Sequence, residues 1–180
     1  DDRTISVVAG GSFNEASPYA TFTVSGQPGY ALNLALGNTA ATSDVDATIS
    51  GFTVDYSTDG GASWTTYSWN GSSGNRPSVP ASGNVLVRVA IGSEADAIFE
   101  GAETFNLTAN YATNALITAT GTDSIIDDAT GRIDRNGDGD IADPNEGSGP
   151  GAGFDDDRTI SVVAGGSFNE ASPYATFTVS

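Results

Sequence analysis

The chain has 180 residues, and its six basic side chains stand against 23 acidic ones, which gives a formal net charge of −17 at pH 7. This charge argues against nucleic acid or an anionic membrane surface as a partner and favours divalent cations. Cys, Met and His are absent, so disulfides, the commonest general base and the soft metal ligands are excluded. The remaining oxygen ligands suit calcium or magnesium, and no apolar run reaches the roughly 18 residues of a membrane span.

The first 25 residues return without a change as residues 156–180. An offset of 155 residues is longer than the period of solenoids and propellers, so each unit is expected to be a whole domain in a tandem array. We expect a folded domain at 1–128, a linker at 129–155 and the first strands of the next identical repeat at 156–180. The second copy is expected to pair with a neighbouring identical repeat or chain, by strand exchange or as the start of a filament.

Within the first unit, apolar residues alternate with polar ones, and a helical period is hard to find. Alternating sets such as Ala20, Phe22 and Val24 predict inward faces. The sequence therefore predicts an all-β fold, an Ig-like two-sheet sandwich followed by an acidic calcium-loop linker. The predicted strands cover residues 4–8, 19–25, 31–36, 51–57, 63–68, 84–91, 104–109 and 115–126.

The linker contains a second kind of signal, the D-x-N-x-D-G spacing in which alternate side chains converge on calcium and Gly139 permits a sharp turn. No helical pattern flanks it, so a calcium loop is expected and not a complete EF-hand. Asp143 and Glu146 stand slightly outside the usual register. The alternative is a solvated acidic linker. The candidate ligands in this loop are Asp134, Asn136, Asp138, Asp140 through its backbone carbonyl, Asp143 and Glu146.

Several motifs follow one another in a recognisable order. NEASPYATFTVS begins at Asn14, an acidic loop contains Asp44 and Asp46, EADAIFEGAETFNL spans residues 94–107, and TDSIIDD ends at Asp128. Together they resemble the Calx-β domain, a calcium-associated β-sandwich of sodium/calcium exchangers, an integrin β subunit and long tandem arrays in bacterial surface proteins. The resemblance covers residues 4–128, and IFEGAETF is its most specific part.

The resemblance implies calcium at one end of the sandwich, held by acidic residues of several loops and by the run that ends the last strand. Ala95 and Ala129 stand where acidic runs usually continue in that family, which implies fewer ions or weaker binding. The alternative is a calcium-free member whose acidic residues are solvated loop ends. The ligands that the resemblance implies are Glu15, Asp44, Asp96, Glu100, Asp127 and Asp128, with the carbonyl of Ile98.

A third motif, STDGGASW at residues 57–64, matches the S-x-D-x-G-x-x-W turn that recurs in sialidase-type propellers. It predicts a folded turn in which Asp59 caps backbone amides and Trp64 packs behind them. Alternatively, Trp64, Tyr67 and Trp69 form an exposed patch that stacks on a surface glycan. This is the basis of the second functional hypothesis, a carbohydrate- or ligand-binding module.

The leading expectation is a structural or adhesive module of a tandem array, secreted or at the cell surface, in a long adhesin, matrix protein or filament. Calcium at the acidic loops and in the linker would make the array rigid. An enzyme is not expected, because without His or Cys the usual triads are unavailable. A glycosidase with two catalytic carboxylates would need a deep cleft, which a small sandwich hardly provides.

Overall fold

The computed structural model describes residues 4–38, 49–92, 101–127 and 161–179. This part of the chain is all-β, with a short 3-10 turn at Ile49–Gly51 and no α-helix. It contains no helix that is long and apolar enough to cross a membrane. The strands are β1 (Ser6–Ala9), β2 (Ser12–Asn14), β3 (Tyr19–Ser25), β4 (Leu32–Asn38), β5 (Thr53–Ser57), β6 (Thr65–Thr66), β7 (Asn84–Ala90), β8 (Glu103–Tyr111), β9 (Asn114–Ile126), β10 (Val162–Ala164) and β11 (Phe177–Val179).

Strands β1 to β9 form two sheets that pack face to face as a β-sandwich. One sheet has the order β1-β3-β7-β5-β6, and the other has the order β2-β9-β8-β4. All pairings in them are antiparallel except that of β2 with the end of β9. The chain passes from the first sheet to the second between β1 and β2 and returns at β3, so the first 25 residues contribute strands to both sheets.

The core lies between the sheets and follows from the two-residue period of the strands. Strand β7 alternates so that Val85, Val87 and Val89 are fully buried. Strand β8 alternates in the same way, and every second residue from Phe105 onward is buried. The ring of Phe105 meets that of Phe22 from the opposite sheet edge-on, with centroids 5.7 Å apart. Burying one apolar face of every strand stabilises the fold by about 25 cal/mol per Å² of apolar area.

The two ends of the sandwich are defined by the turns that close them. At the first, which we call the Glu15 end, β2 gives way to β3, and the backbone N–H of Glu15 donates to the carbonyl of Ile126 at the end of β9 (3.0 Å). At the second, the Tyr111 end, β4 begins opposite Tyr111, and the side chain of Tyr111 lies beside the residues that precede β1. The folded unit therefore begins at the Tyr111 end and finishes β9 at the Glu15 end.

The second copy of the repeated segment forms its own small sheet from β10 and β11. Every described residue of 161–179 is exposed. The predicted linker at 129–155 lies outside the described residues.

Most predicted strands are confirmed, with two corrections. The strand at residues 19–25 has the predicted bounds, and Ala20, Phe22 and Val24 are buried as expected. Strand β2 was not predicted, because three residues between Gly11 and a turn are too short to show alternation. The predicted strand at 63–68 is wrong in extent, since the strand covers Thr65–Thr66 alone, followed by one more backbone hydrogen bond from Tyr67 to Val54 of β5.

Candidate functional site at the Glu15 end of the sandwich

Four acidic side chains among the described residues are buried in the sandwich, which is unusual because an ionised carboxylate loses much of its hydration on burial. Glu15, Glu103 and Asp127 are each 4% exposed, and Asp123 is 3% exposed. All four belong to the sheet that contains β9 or to the turn that follows β2. This is the feature from which the candidate site is built.

Their inward direction follows from strand geometry. On β9, side chains two residues apart share a face, so Asp123, Ile125 and Asp127 project to the same side as the buried core. Glu103 begins the alternating buried set of β8 and stands directly opposite Ile125. Near the Glu15 end, the inward-facing positions of β8 and β9 are therefore occupied by carboxylates as well as by hydrophobic residues.

Asp127 is the central member of the group. Strand β2 pairs with β9 in parallel through Asn14 and Ile126, so the next residues along, Glu15 and Asp127, are neighbours across the strands. On the other side of β9, Glu103 is a diagonal neighbour of Asp127, a relationship that usually separates residues by about 7–8 Å. Three carboxylates, one at the start of β8 and one just after the end of each of β2 and β9, therefore lie in one row at the edge of the core.

The predicted ligands fall into two groups. The structure places Glu15 and Asp127 next to each other at the ends of β2 and β9. The remaining candidates lie outside the described residues, although the described residues that flank several of them are at the Glu15 end: β4 finishes opposite Phe105, and β8 starts at Glu103. The candidates outside the described residues are Asp44, Asp96, Glu100, Asp128, Asp134, Asn136, Asp138, Asp140, Asp143 and Glu146.

Sequence reasoning missed Glu103 and Asp123. Both stand in register with the apolar residues of their strands, Glu103 two positions before Phe105 and Asp123 two positions before Ile125. Because side chains two residues apart share one face of a strand, the position two residues before Phe105 or Ile125 is also expected to face inward. The sequence signal for these two residues is therefore a single acidic residue at an inward position of a strand, and not a run of acidic residues.

Among the described residues, no group of three or more acidic side chains is close enough to hold a metal ion. The row at the Glu15 end is therefore not a metal site by itself. Calcium takes six to eight oxygen ligands. A complete site would need oxygens from segments beyond those described.

The motif at residues 57–64 folds as the predicted turn. The hydroxyl of Ser57 donates to Asp59 Oδ1 (2.7 Å), and the backbone N–H of Ser63 donates to the same oxygen (3.0 Å). Hydrogen bonds from the Ser63 hydroxyl, then from Ser57 and the Ser63 backbone, lower the pKa of Asp59 to about 2. The role of Asp59 as a cap is confirmed.

The three aromatic residues of the glycan hypothesis are half-buried and contact different parts of the sandwich. The Arg88 guanidinium lies 4.3 Å from the ring centre of Trp64, and the Arg76 guanidinium lies 3.9 Å from that of Trp69. Tyr67 accepts a hydrogen bond from the backbone of Leu34 through its hydroxyl (3.1 Å). One face of each indole is therefore covered by an arginine.

No family model matches the chain, and no curated protein is significantly similar to it in sequence.

Proposed function

We propose that this chain is a Calx-β-like, Ig-like repeat of an extracellular structural or adhesive array, and that calcium bound at the Glu15 end and in the following linker makes the array rigid. The observation that carries the proposal is the row of buried carboxylates formed by Glu15, Asp127 and Glu103. Neighbouring buried carboxylates repel one another when ionised, and a divalent cation held beside them, with further oxygens from outside the described residues, would offset that repulsion.

The direction of the chain supports an array. The sandwich begins at the Tyr111 end and finishes β9 at the Glu15 end, so consecutive repeats would follow one another lengthwise. Asp127 is the last described residue before the acidic linker. A cation held by Asp127 and by oxygens of the linker would therefore act at the joint between two repeats.

The direct test is thermal unfolding of the full chain, once with calcium and once with EGTA. Circular dichroism is the signal that monitors the unfolding. A ligand that binds the folded state alone stabilises it by about 2.7 kcal/mol at one hundred times its dissociation constant, so calcium should raise Tm by several degrees. Magnesium is the control, because it requires octahedral geometry and keeps its water. Equal melting curves in calcium and EGTA would contradict the proposal.

A further inference from the structure

The loop between β6 and β7 contains a tight turn at residues 70–73, which we call the Asn70 turn. The backbone N–H of Asn70 donates to the carbonyl of Ser73 (3.1 Å). In return, the backbone N–H groups of Ser72 and Ser73 both donate to the side-chain oxygen Oδ1 of Asn70, at 3.0 and 2.9 Å. The side-chain amide of Asn70 is therefore held against the backbone that follows it, as in an Asx turn.

The residue after Asn70 leaves its backbone nitrogen open to reaction. Gly71 has a φ of 96°, a region that favours glycine, and no atom of the described residues accepts a hydrogen bond from its N–H. Glycine also has no side chain to shield the nitrogen. Asn70, Gly71 and Ser72 are all exposed, so water and a dissolved base can reach them. Since Oδ1 of Asn70 reaches across to the N–H of Ser72, it keeps Cγ on the side of the Gly71 nitrogen.

No other asparagine in the part of the chain that the structure describes has all of these features. Asn70 is the one that a glycine follows there. The N–H groups that follow Asn14 and Asn33 donate to the carbonyl of Ile126 and to the hydroxyl of Tyr67. The asparagines of β8 lie in a strand that is paired on both sides, so the ladder holds their backbone.

We propose that Asn70 is a site of spontaneous covalent modification, at which the Asn70 turn promotes conversion of the asparagine into aspartate and isoaspartate. The nitrogen of Gly71 loses its proton to a base in the solvent and forms a bond to Cγ of Asn70. The bond from Cγ to Nδ2 breaks, and Nδ2 takes a proton from water and leaves as ammonia. Water then opens the cyclic imide at one of its two carbonyl carbons, which gives aspartate or isoaspartate, and no oxidant or reductant takes part.

The two backbone donors assist the first of these steps. Negative charge develops on Oδ1 when the nitrogen attacks, and the N–H groups of Ser72 and Ser73 already point at that oxygen. Donors that are preorganised around an oxygen on which charge develops lower the barrier to the reaction. The folded chain should therefore react at Asn70 at least as fast as the unfolded chain.

The products would change the loop that carries Trp69. Either product places a new carboxylate next to Trp69, whose ring centre lies 3.9 Å from the Arg76 guanidinium. Isoaspartate also adds one methylene to the main chain within the turn. The hydrogen bond from the Asn70 N–H to the Ser73 carbonyl should then be lost.

The test is ageing of the full chain in mildly alkaline heavy-oxygen water with EGTA, followed by peptide mapping by mass spectrometry. Opening of the imide incorporates a heavy oxygen, which separates reaction during ageing from reaction during digestion. Asn70 should be converted well before Asn75, which is exposed in the same loop but is followed by Arg76. An Asn70 that stays intact in the folded chain but reacts in urea would overturn the proposal, because the turn would then protect the amide.

Two substitutions of one residue isolate the contribution of the turn. Ser73→Pro removes an N–H that donates to Oδ1, whereas Ser73→Ala keeps it. Ser73→Pro should slow the conversion of Asn70 in the folded chain about tenfold, and Ser73→Ala should react like the wild type. In urea, where the turn is absent, the three chains should react at one rate. Equal rates for the three folded chains would overturn the proposal that the turn promotes the reaction.

Discussion

The phenol oxygen of Tyr111 lies 3.0 Å from the carbonyl oxygen of Thr4, to which it donates a hydrogen bond. The same oxygen accepts from the backbone N–H of Gln27 at 2.7 Å. The side chain of Tyr111, at the end of β8, is therefore hydrogen-bonded both to Thr4, shortly before β1, and to Gln27, shortly after β3. Since β1 and β3 are the strands of the repeated segment, Tyr111 holds the first copy at the Tyr111 end of the sandwich.

Replacement of Tyr111 by Phe should destabilise the sandwich by about 1–3 kcal/mol, because two hydrogen bonds of the hydroxyl are lost, each contributing about 0.5–1.5 kcal/mol, while the packing of the ring is kept. The measurement is urea unfolding at equilibrium. Tyr174→Phe is the control, since that ring is 78% exposed. Equal midpoints for Tyr111→Phe and the wild type would show that water replaces both bonds at no cost.

Phe105 is packed between the sheets, and its ring lies edge-on against both Phe22 and Phe52 with centroids 5.7 Å apart. Phe105→Ala should cost about 3–5 kcal/mol, because the transfer free energy is lost and a cavity remains. Leu116→Ala, at a site that is 91% exposed, should change the free energy of unfolding by less than about 0.5 kcal/mol. A loss below about 1 kcal/mol for Phe105→Ala would mean that the core closes around the vacancy.

The strands that the sequence predicts best are those whose alternation runs through the core. Val85, Val87 and Val89 are an uninterrupted set, and each is fully buried as its spacing predicts. Strand β2 has no such set, and its place is decided by a parallel pairing between Phe13 and Ile125, more than 100 positions apart. Local periodicity contains no information about a contact at that separation.

In the candidate site, too, some residues could be predicted from the sequence and others depend on long-range strand pairing. Glu15 and Asp127 could be chosen from the resemblance, but only strand register shows that Glu103 is a diagonal neighbour of Asp127. The sequence pattern treats the acidic residues as loop ends. The structure shows that those of β8 and β9 lie on inward faces, and inward direction is a property of register and not of composition.

Asp59 should be one of the most acidic carboxyl groups of the chain, with a pKa of about 2 against an ordinary value of 3.8. Because the folded-state pKa is depressed, the stability that its hydrogen bonds contribute is present above about pH 4 and is lost as the pH falls toward 2. Carbon-detected NMR titration of the carboxyl group measures this pKa directly. Ser63→Ala removes the largest cause and should raise the pKa, whereas an unchanged titration would contradict the role of that hydroxyl.

The repeated segment supplies a matched pair of glutamates for testing the Glu15 end. Glu15 is 4% exposed beside Asp127, and Glu170 occupies the same place in an identical sequence but is exposed. If calcium lies against Glu15, Glu15→Gln should have effects of opposite sign in the two conditions. In EGTA it should stabilise the fold, because one repelling charge is removed. In calcium it should reduce the affinity for calcium about tenfold, which corresponds to about 1.4 kcal/mol, because one ligand is lost.

Thermal melting and calcium titration of Glu15→Gln and Glu170→Gln measure these effects. Glu170→Gln is the control and should change neither the stability in EGTA nor the affinity for calcium. If Glu15→Gln raised the stability equally with and without calcium, the carboxylate row would be a repulsive cluster that binds no ion.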